Sequence, residues 1–366
     1  MELANLQSQV RPQAFLLIDC LKVFAALLII LHHLASYGQI AQDAQAVLPG
    51  IMTWLFEYGR YAVQLFLVMA GYLAAQSLSR YANQRCSAQD LIKIIFNRYL
   101  RLFAPYATAL LLTIVCASIA RHWVSDEFVG QSETLTQFLA HLFFIQGILG
   151  LDSISAGAWY IAIDWQLYSV LAILLISFPR YQAVIWIMSV LAVASLLFFN
   201  RSSVYEAYFI YFIGSYGLGV LAYLGANGEN QSVKRLAKLA LIIIGCLIVL
   251  ASFKQIWLRN FLAWFVAIAL LFWGNTPYPP KEKCSALLLA MHWGSQRSYC
   301  AFLIHFAFIL LANTLYIAWG MSKRHDEHMA AALMMLAVVA SWMAATLLYR
   351  WVEVPSRQLK ISSQID

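Results

Sequence analysis

Charged residues are scarce in this chain of 366 residues. Only 11% of its residues are Asp, Glu, Lys or Arg, whereas 62% are hydrophobic. Water-soluble domains contain roughly 25% charged residues, so the composition excludes an ordinary soluble protein. It is typical of a polytopic membrane protein whose core is a bundle of helices in the bilayer.

Paired cysteines are also lacking. The six cysteines form no CxxC motif and most lie in apolar runs, at Cys20, Cys86, Cys116, Cys246, Cys284 and Cys300. We therefore expect no disulfide framework and no metal site. No small-residue cleavage site clearly follows the first apolar run, so we interpret that run as a retained helix and not as a signal peptide.

The sequence has no visible repeat, no low-complexity segment and no second soluble domain. We expect one membrane domain over residues 1–366, with short cytoplasmic tails at about 1–13 and 354–366. Since about 20 apolar residues cross a bilayer as a helix, hydropathy predicts an all-α bundle of about ten spanning helices. They cover roughly 14–37, 60–79, 99–120, 159–178, 182–199, 205–224, 236–253, 257–274, 299–319 and 328–350.

A shorter apolar stretch at 137–150 is predicted to be interfacial or re-entrant. With the N-terminus inside, sixteen basic residues fall on the cytoplasmic side and seven on the outer side. Lysine and arginine accumulate in cytoplasmic loops, so this bias favours two cytoplasmic termini. The same rule accounts for the net charge of +7 without an anionic partner, and we expect no nucleic acid to bind.

The first predicted helix contains the stretch DCLKVFAALLIILHHL, in which polar groups interrupt an apolar run. A helix turns about 100° per residue, which brings Asp19, Lys22 and His33 to one face and directs His32 elsewhere. A polar stripe in a spanning helix normally faces the bundle interior or a wet cavity. The alternative is that Asp19 and Lys22 pair to hold helices together and that His33 is an interfacial anchor.

Two arginines, Arg98 and Arg101, lie three residues apart at the predicted inner mouth of the third helix. Guanidinium groups bind phosphates bidentately, so this pair suits an anionic cytoplasmic ligand. The alternative is simple anchoring on the positive side of the membrane.

Acids and a further histidine occur in later helices. Asp164 lies about one turn into its helix between Trp159 and Tyr168, and an acid there requires a partner or water. His305 lies about two turns inside the ninth helix. The last helix ends with Glu353, Pro355 and Arg357; helix breaking accounts for the proline but not for the acid.

These segments together resemble acyltransferase family 3, an integral-membrane family that acylates bacterial surface sugars. The resemblance covers nearly the whole chain. The family's Asp-x-Leu-Arg, ten residues, His pattern corresponds to Asp19 through His33, and its Arg-x-x-Arg pair to Arg98 and Arg101. The other matching segments are VQLFLVMAGYL, WYIAIDWQLY, SYCAFLIHF and YRWVEVPSR. The chain departs from the pattern with Lys22 for Arg, Gln64 for Asp, Ala70 for Ser and Asp164 for Glu.

The resemblance implies transfer of an acyl group, most often acetyl, from cytoplasmic acyl-coenzyme A to a sugar hydroxyl of a surface or exported glycan. It implies a bacterial cytoplasmic (inner) membrane, acyl-coenzyme A as donor substrate, and no permanently bound cofactor. The acceptor is a glycan or a lipid-linked sugar. The expected catalytic residues are His33, Lys22, Asp19 and Asp164, and the expected donor-binding residues are Arg98, Arg101 and Lys22. Expected to support the substrate or the structure are Trp159, Tyr168, Tyr299, His305, Glu353 and Arg357.

Two routes for the transfer remain open. Histidine is the residue type suited to removing a hydroxyl proton near neutral pH, and His33 is the matching histidine. An acyl-histidine intermediate is the competing route. A transporter or flippase of a glycan or lipid-linked sugar also needs charges inside a bundle, and a non-catalytic partner of a polysaccharide-synthesis complex is a third reading.

Overall fold

The regular elements of the described chain are helices. The structure is a computed structural model that describes residues 15–81, 86–125, 127–178, 180–279 and 285–359. Within those ranges no strand forms, apart from an isolated bridge between Phe15 and Pro277. The predicted all-α fold is confirmed. The tail 1–13, residues 360–366 of the other tail, and the basic residues Arg11, Arg85, Lys281, Lys283 and Lys360 lie outside the described residues.

The described residues form fourteen α-helices, numbered in chain order. They are α1 (Leu16–Ser36), α2 (Gly38–Val47), α3 (Pro49–Tyr58), α4 (Ala62–Leu78), α5 (Ala88–Ala120), α6 (Leu135–Leu142), α7 (Ala158–Ser177), α8 (Tyr181–Leu197), α9 (Phe209–Asn227), α10 (Gln231–Ser252), α11 (Leu258–Trp273), α12 (Ala286–Ala318), α13 (Glu327–Leu348) and α14 (Val354–Ser356). A π-helical turn, Tyr349–Glu353, joins α13 to α14.

Nine helical segments of the described chain are long and apolar enough to cross a membrane, with α3 and α4 forming one of them. The tenth predicted crossing corresponds to α11, an apolar helix of 16 residues that is about 24 Å long at 1.5 Å per residue. The helical bundle and the approximate positions of the predicted helices are therefore confirmed, with nine of the ten long enough to cross. That both ends of the chain are cytoplasmic stays a prediction.

Two helices begin more than ten residues before their predicted starts. α5 begins at Ala88 because Ser87 and Asp90 form a reciprocal capping box, with bonds of 3.0 and 3.2 Å. α12 begins at Ala286, where the Ser285 hydroxyl accepts the amide of Leu288 at 3.3 Å. A cap satisfies amides that the first turn leaves free, so both helices extend beyond the apolar stretch that hydropathy detects.

The stretch 137–150 does not cross the bundle. α6 has eight residues, about 12 Å at 1.5 Å per residue, and turns follow it. Phe144, 1% exposed, then packs its ring 5.2 Å from that of Tyr99 and 6.0 Å from that of Trp165. These two residues directly follow Arg98 and Asp164 in sequence. The segment therefore enters the bundle and turns back, as a re-entrant segment does.

His141 fixes this re-entrant segment. Its Nδ1–H donates to the carbonyl of Gln137 at 2.8 Å, and its Nε2 accepts the amide of Ile154 at 3.1 Å. The two bonds together require a neutral ring with its proton on Nδ1, because a carbonyl only accepts and an amide only donates. Burial lowers the pKa of His141, and the bond to Gln137 offsets only part of that effect.

Glycines allow two central helices to approach closely. A Cβ on Gly71 of α4 would overlap the carbonyl oxygen of Tyr216, and a Cβ on Gly219 of α9 would overlap that of Val68. Small residues permit this backbone contact between spanning helices. α9 also packs against α8, α10 and α11, while α12 packs against α1, α5 and α13. The helices around α9 and the helices around α12 meet at two places, where α1 contacts α4 and where α5 contacts α7.

Hydropathy does not predict α2, which lies on the predicted outer side, because this helix is short and polar. Asp43 of α2 accepts hydrogen bonds from Tyr316 (2.6 Å), His325 (2.9 Å) and Gln39 (3.0 Å). Burial raises the pKa of Asp43, but these three bonds outweigh burial and lower it overall. The carboxylate thus attaches α2 to the outer end of α12 and to the loop before α13.

Candidate functional site

Two buried histidines face each other between α1 and α12. The ring centroids of His33 and His305 are 5.1 Å apart, and the residues are 8% and 0% exposed. The sequence separates them by 272 positions, and the contact between α1 and α12 brings them together. We call them the histidine pair.

Hydrogen bonding defines the tautomer of His305. Its Nδ1 lies 2.6 Å from the carbonyl oxygen of Phe302, and since a carbonyl only accepts, Nδ1 carries the proton. In the neutral ring Nε2 then has a free lone pair. That Nε2 and the Nδ1 of His33 are buried and have no hydrogen-bond partner in the described chain. The pair therefore presents unsatisfied polar atoms in the bundle interior. Such atoms cost free energy, and a catalytic role is one reason for which proteins retain them.

His32, the adjacent histidine, has a different environment. Its Nδ1 lies 2.9 Å from the carbonyl oxygen of Leu55 in α3, and a Cβ on Gly59 would meet its side chain at 2.7 Å. His33 instead stacks on Tyr37, with centroids 5.4 Å apart and planes 11° from parallel. His32 thus joins α1 to α3, and His33 faces the interior as the predicted register requires.

Asp164 pairs with Arg98. The Nη2 of Arg98 lies 2.5 Å from Oδ2 of Asp164, and the two side chains are 22% and 6% exposed. The guanidinium also lies 5.0 Å from the ring centroid of Tyr168. Arg98 is therefore the partner that Asp164 requires as an acid inside the bundle. Asp164 and His33 form no direct hydrogen bond with each other.

Three other cations gather at the end of α1 and α5 that is predicted to be cytoplasmic. Lys22 has Arg101 and Arg357 among its electrostatic neighbours, and we call these three residues the basic cluster. Lys22 is half-buried and Arg101 is exposed. No ion pair within the described ranges involves Lys22 or Arg101.

Glu353 is the acid next to the basic cluster. It accepts from Arg357 at 2.7 Å and from the Cys300 thiol at 3.0 Å. The acid lies in the π-helical turn after α13, a type of segment that is frequent at functional sites. Asp19 is a second acid near Lys22, and three cations with two acids leave the cluster with a local excess of positive charge.

Asp19 is fully engaged with α12 and the preceding loop. It accepts from Ser295 at 2.5 Å, from His292 at 2.8 Å and from Tyr278 at 3.0 Å. The pairing with Lys22 that the i, i+3 spacing suggested is absent from the ion pairs of the described chain. The bonds to α12 satisfy Asp19 because Ser295 and His292 lie three residues apart, on one face of that helix.

A family model described as an acyltransferase domain matches residues 15–350. The chain belongs to acyltransferase family 3. It is a multi-pass membrane acyltransferase, and ten of the twelve predicted site residues fall inside the match. Glu353 and Arg357 follow the end of the match within a few residues. No curated protein and no solved structure matches the chain.

Two further predicted residues of the acyltransferase have structural contacts. Trp159 stacks on Phe212 with centroids 5.2 Å apart. The hydroxyl of Tyr299 donates to the carbonyl of Leu102 at 3.1 Å, which joins α12 to α5. No group of three or more His, Cys, Asp or Glu in the described part of the acyltransferase is arranged to hold a metal.

Sequence reasoning missed several residues that complete the site. They are Tyr37, which stacks on His33; His292 and Ser295, which bind Asp19; Cys300, which binds Glu353; and Phe302, which orients His305. Each contact except those of Tyr37 and Phe302 joins positions far apart in sequence, and no local pattern signals it. Of the two local ones, the ring stack of Tyr37 on His33 resembles ordinary helix packing, and the carbonyl of Phe302 gives no signal because every residue has one.

Proposed function

We propose that this acyltransferase moves an acetyl group from cytoplasmic acetyl-coenzyme A to a sugar hydroxyl of an exported or surface glycan. The observation that carries the proposal is the histidine pair, which is buried and has unpartnered nitrogens, together with the basic cluster, whose Lys22 lies near the other end of α1 from His33. A proton acceptor and an anion-binding site on one bundle suit a reaction between an anionic donor and a neutral hydroxyl.

The basic cluster is the proposed donor site. Coenzyme A is a cytosolic polyanion, and the three cations of the basic cluster provide more positive charge than Glu353 and Asp19 balance. Lys22 and His33 are eleven residues apart on α1, about 16 Å along the axis. The long arm of the donor spans this distance and brings its thioester to the histidine pair. Arg98, already bound by Asp164, supports the wall of the site.

In the proposed reaction, His33 removes the proton from the sugar hydroxyl as a general base. The hydroxyl oxygen attacks the thioester carbonyl, a carbon–oxygen bond forms and the carbon–sulfur bond breaks. The proton passes from His33 to the departing coenzyme A sulfur. His305 lies beside His33 with Nε2 as a hydrogen-bond acceptor and stabilises the charged ring of His33 as it forms. An acyl-histidine on His33 is the competing route.

The test compares two neighbouring histidines in cells that produce equal amounts of membrane-inserted protein. Alkali-labile acetate is measured on surface glycans from cells with the native chain, His33→Ala, His32→Ala or no chain. We expect acetate to fall to the level without the chain in His33→Ala and to persist in His32→Ala, since His32 binds a backbone carbonyl of α3. Full acetylation with His33→Ala would reject the assignment.

The same experiment distinguishes an acyltransferase from a transporter. A transporter moves its cargo without consuming an acyl donor, so the acetate on the glycan would not depend on the chain. Chain-dependent acetate that disappears with His33→Ala, at unchanged amounts of exported glycan, supports the acyltransferase over the transporter.

A further inference from the structure

Three aromatic rings meet beside the histidine pair. They are Phe66 of α4, Tyr160 of α7 and Phe302 of α12, and we call them the aromatic triangle. The centroids of Phe66 and Phe302 are 5.7 Å apart, those of Tyr160 and Phe302 are 5.5 Å apart, and those of Phe66 and Tyr160 are 5.9 Å apart. Each pair of these rings is in direct contact, so α4, α7 and α12 pack against one another at this place.

Along the axis of α12, Phe302 of the aromatic triangle lies between the level of the basic cluster and the level of His305. On α12, Cys300 contacts Glu353 beside the basic cluster, and His305 follows five residues later, about 7.5 Å along the axis. Phe302 is located between them, and its ring centroid is 6.0 Å from that of His305. The ring of Phe302 therefore borders the space beside His305.

Phe302 has little room to withdraw. It is 5% exposed, and a Cβ on Gly157 would lie only 2.9 Å from its ring, so the start of α7 backs the ring. Its own carbonyl holds the Nδ1–H of His305 at 2.6 Å. Phe302 and His305 thus lie on the same turn of α12. Phe302 and the two rings packed on it limit the space next to His305.

We infer that the aromatic triangle restricts the acyl group to acetyl by filling the space that a longer chain would need. This inference rests on the proposed function. The thioester carbon must come within about 3–3.5 Å of the attacking oxygen, so its alkyl chain lies among the groups that surround the histidine pair. One methylene of excess size in an apolar pocket changes the rate by about 10- to 200-fold.

The experiment measures chain-length selectivity in membranes that contain the full chain and their own glycans. Radiolabelled acetyl-, propionyl- and butyryl-coenzyme A are supplied in turn, and label in the glycan fraction gives kcat/KM for each donor. The variants are Phe302→Ala, Phe302→Leu and Phe66→Leu. The control is Phe308→Ala, which removes a phenyl ring from the same helix at a half-buried position outside the triangle.

We expect the native chain to prefer acetyl over butyryl at least 100-fold, for two methylenes. Phe302→Ala should lower that ratio at least tenfold, Phe302→Leu and Phe66→Leu should lower it less, and Phe308→Ala should leave it unchanged. If Phe302→Ala fails to fold, the two leucine variants decide the outcome.

Three results would overturn the inference. A native chain that transfers butyryl as fast as acetyl has no such filter. Unchanged ratios in triangle variants that still transfer acetyl would show that these rings do not set the size. If no acyl-coenzyme A donates to glycan with the native chain, the proposed function fails and the filter fails with it, which is distinguishable from the first two results.

Discussion

Breaking the ion pair between Arg98 and Asp164 should destabilise the bundle more than removing the whole pair. The two side chains are 22% and 6% exposed and their closest atoms are 2.5 Å apart. Loss of one partner leaves the other as an unpaired buried charge, which costs about 3–5 kcal/mol, whereas replacing both by apolar residues is often nearly neutral. We therefore expect Asp164→Leu and Arg98→Met each to lose about 3–5 kcal/mol, and the double variant Arg98→Met, Asp164→Leu to lose less than either.

The assay is equilibrium unfolding of the four purified proteins in one detergent, which gives a double-mutant cycle. The expected interaction energy is at least about 2 kcal/mol, as for close buried charge pairs. A matched control is the pair of Arg121 and Glu133, which has a similar exposure, at 2.7 Å with side chains 21% and 11% exposed. It lies in the loop between α5 and α6, outside the bundle.

Additive losses in the Arg98 and Asp164 variants would refute the reasoning, because they would mean that the two groups do not stabilise each other. The cycle also separates two roles of Arg98. If the double variant folds and still takes up donor with an unchanged KM, Arg98 acts in the wall of the site. A KM that rises with every Arg98 substitution, whatever the stability, would instead assign it to donor binding.

Three further predictions concern the basic cluster and the re-entrant segment. Arg101→Gln should raise the KM for acetyl-coenzyme A about threefold to tenfold, with a smaller rise at high salt because exposed charges are screened, while the exposed Arg180→Gln should leave KM unchanged in kinetic assays. Lys22→Arg should retain more acyl transfer per folded protein than Lys22→Met, because the site requires a cation; equal rates and thermal stabilities in native chain and Lys22→Met would contradict this. The pKa of His141 is lowered on folding, so its contribution to stability is present above the unfolded value of about 6.5 and declines as the pH falls below it; thermal unfolding between pH 5 and 8 should show a smaller acid loss in His141→Gln than in the native chain.

The sequence predicted those features that depend on local spacing. The register of α1 brings Asp19 and His33 to the buried face, and the structure buries both. Hydropathy located the nine long apolar helices and the shorter α11 because lipid selects apolar segments of fixed length. The starts of α5 and α12 were missed because caps at Ser87 and Ser285 extend helices into polar sequence.

The spacing of residues in the sequence could not predict which side chains meet across the bundle. Asp19 and Ser295 are 276 positions apart, and Arg98 and Asp164 are 66 apart. Each helix has several polar positions, and packing decides which of them meet. For Asp19 the nearest opposite charge in sequence was Lys22, but Ser295 and His292 on α12 satisfy the carboxylate first.

The most direct test of the proposed reaction is the transfer of label from one face of the membrane to the other. Sealed vesicles of known orientation, with the glycan retained, receive radiolabelled acetyl-coenzyme A on the cytoplasmic face only. The native chain should transfer alkali-labile acetate to glycan on the opposite face, and His33→Ala should transfer none. Label on glycan at the same level in both, or no label above vesicles without the chain, would contradict acyl transfer through the histidine pair.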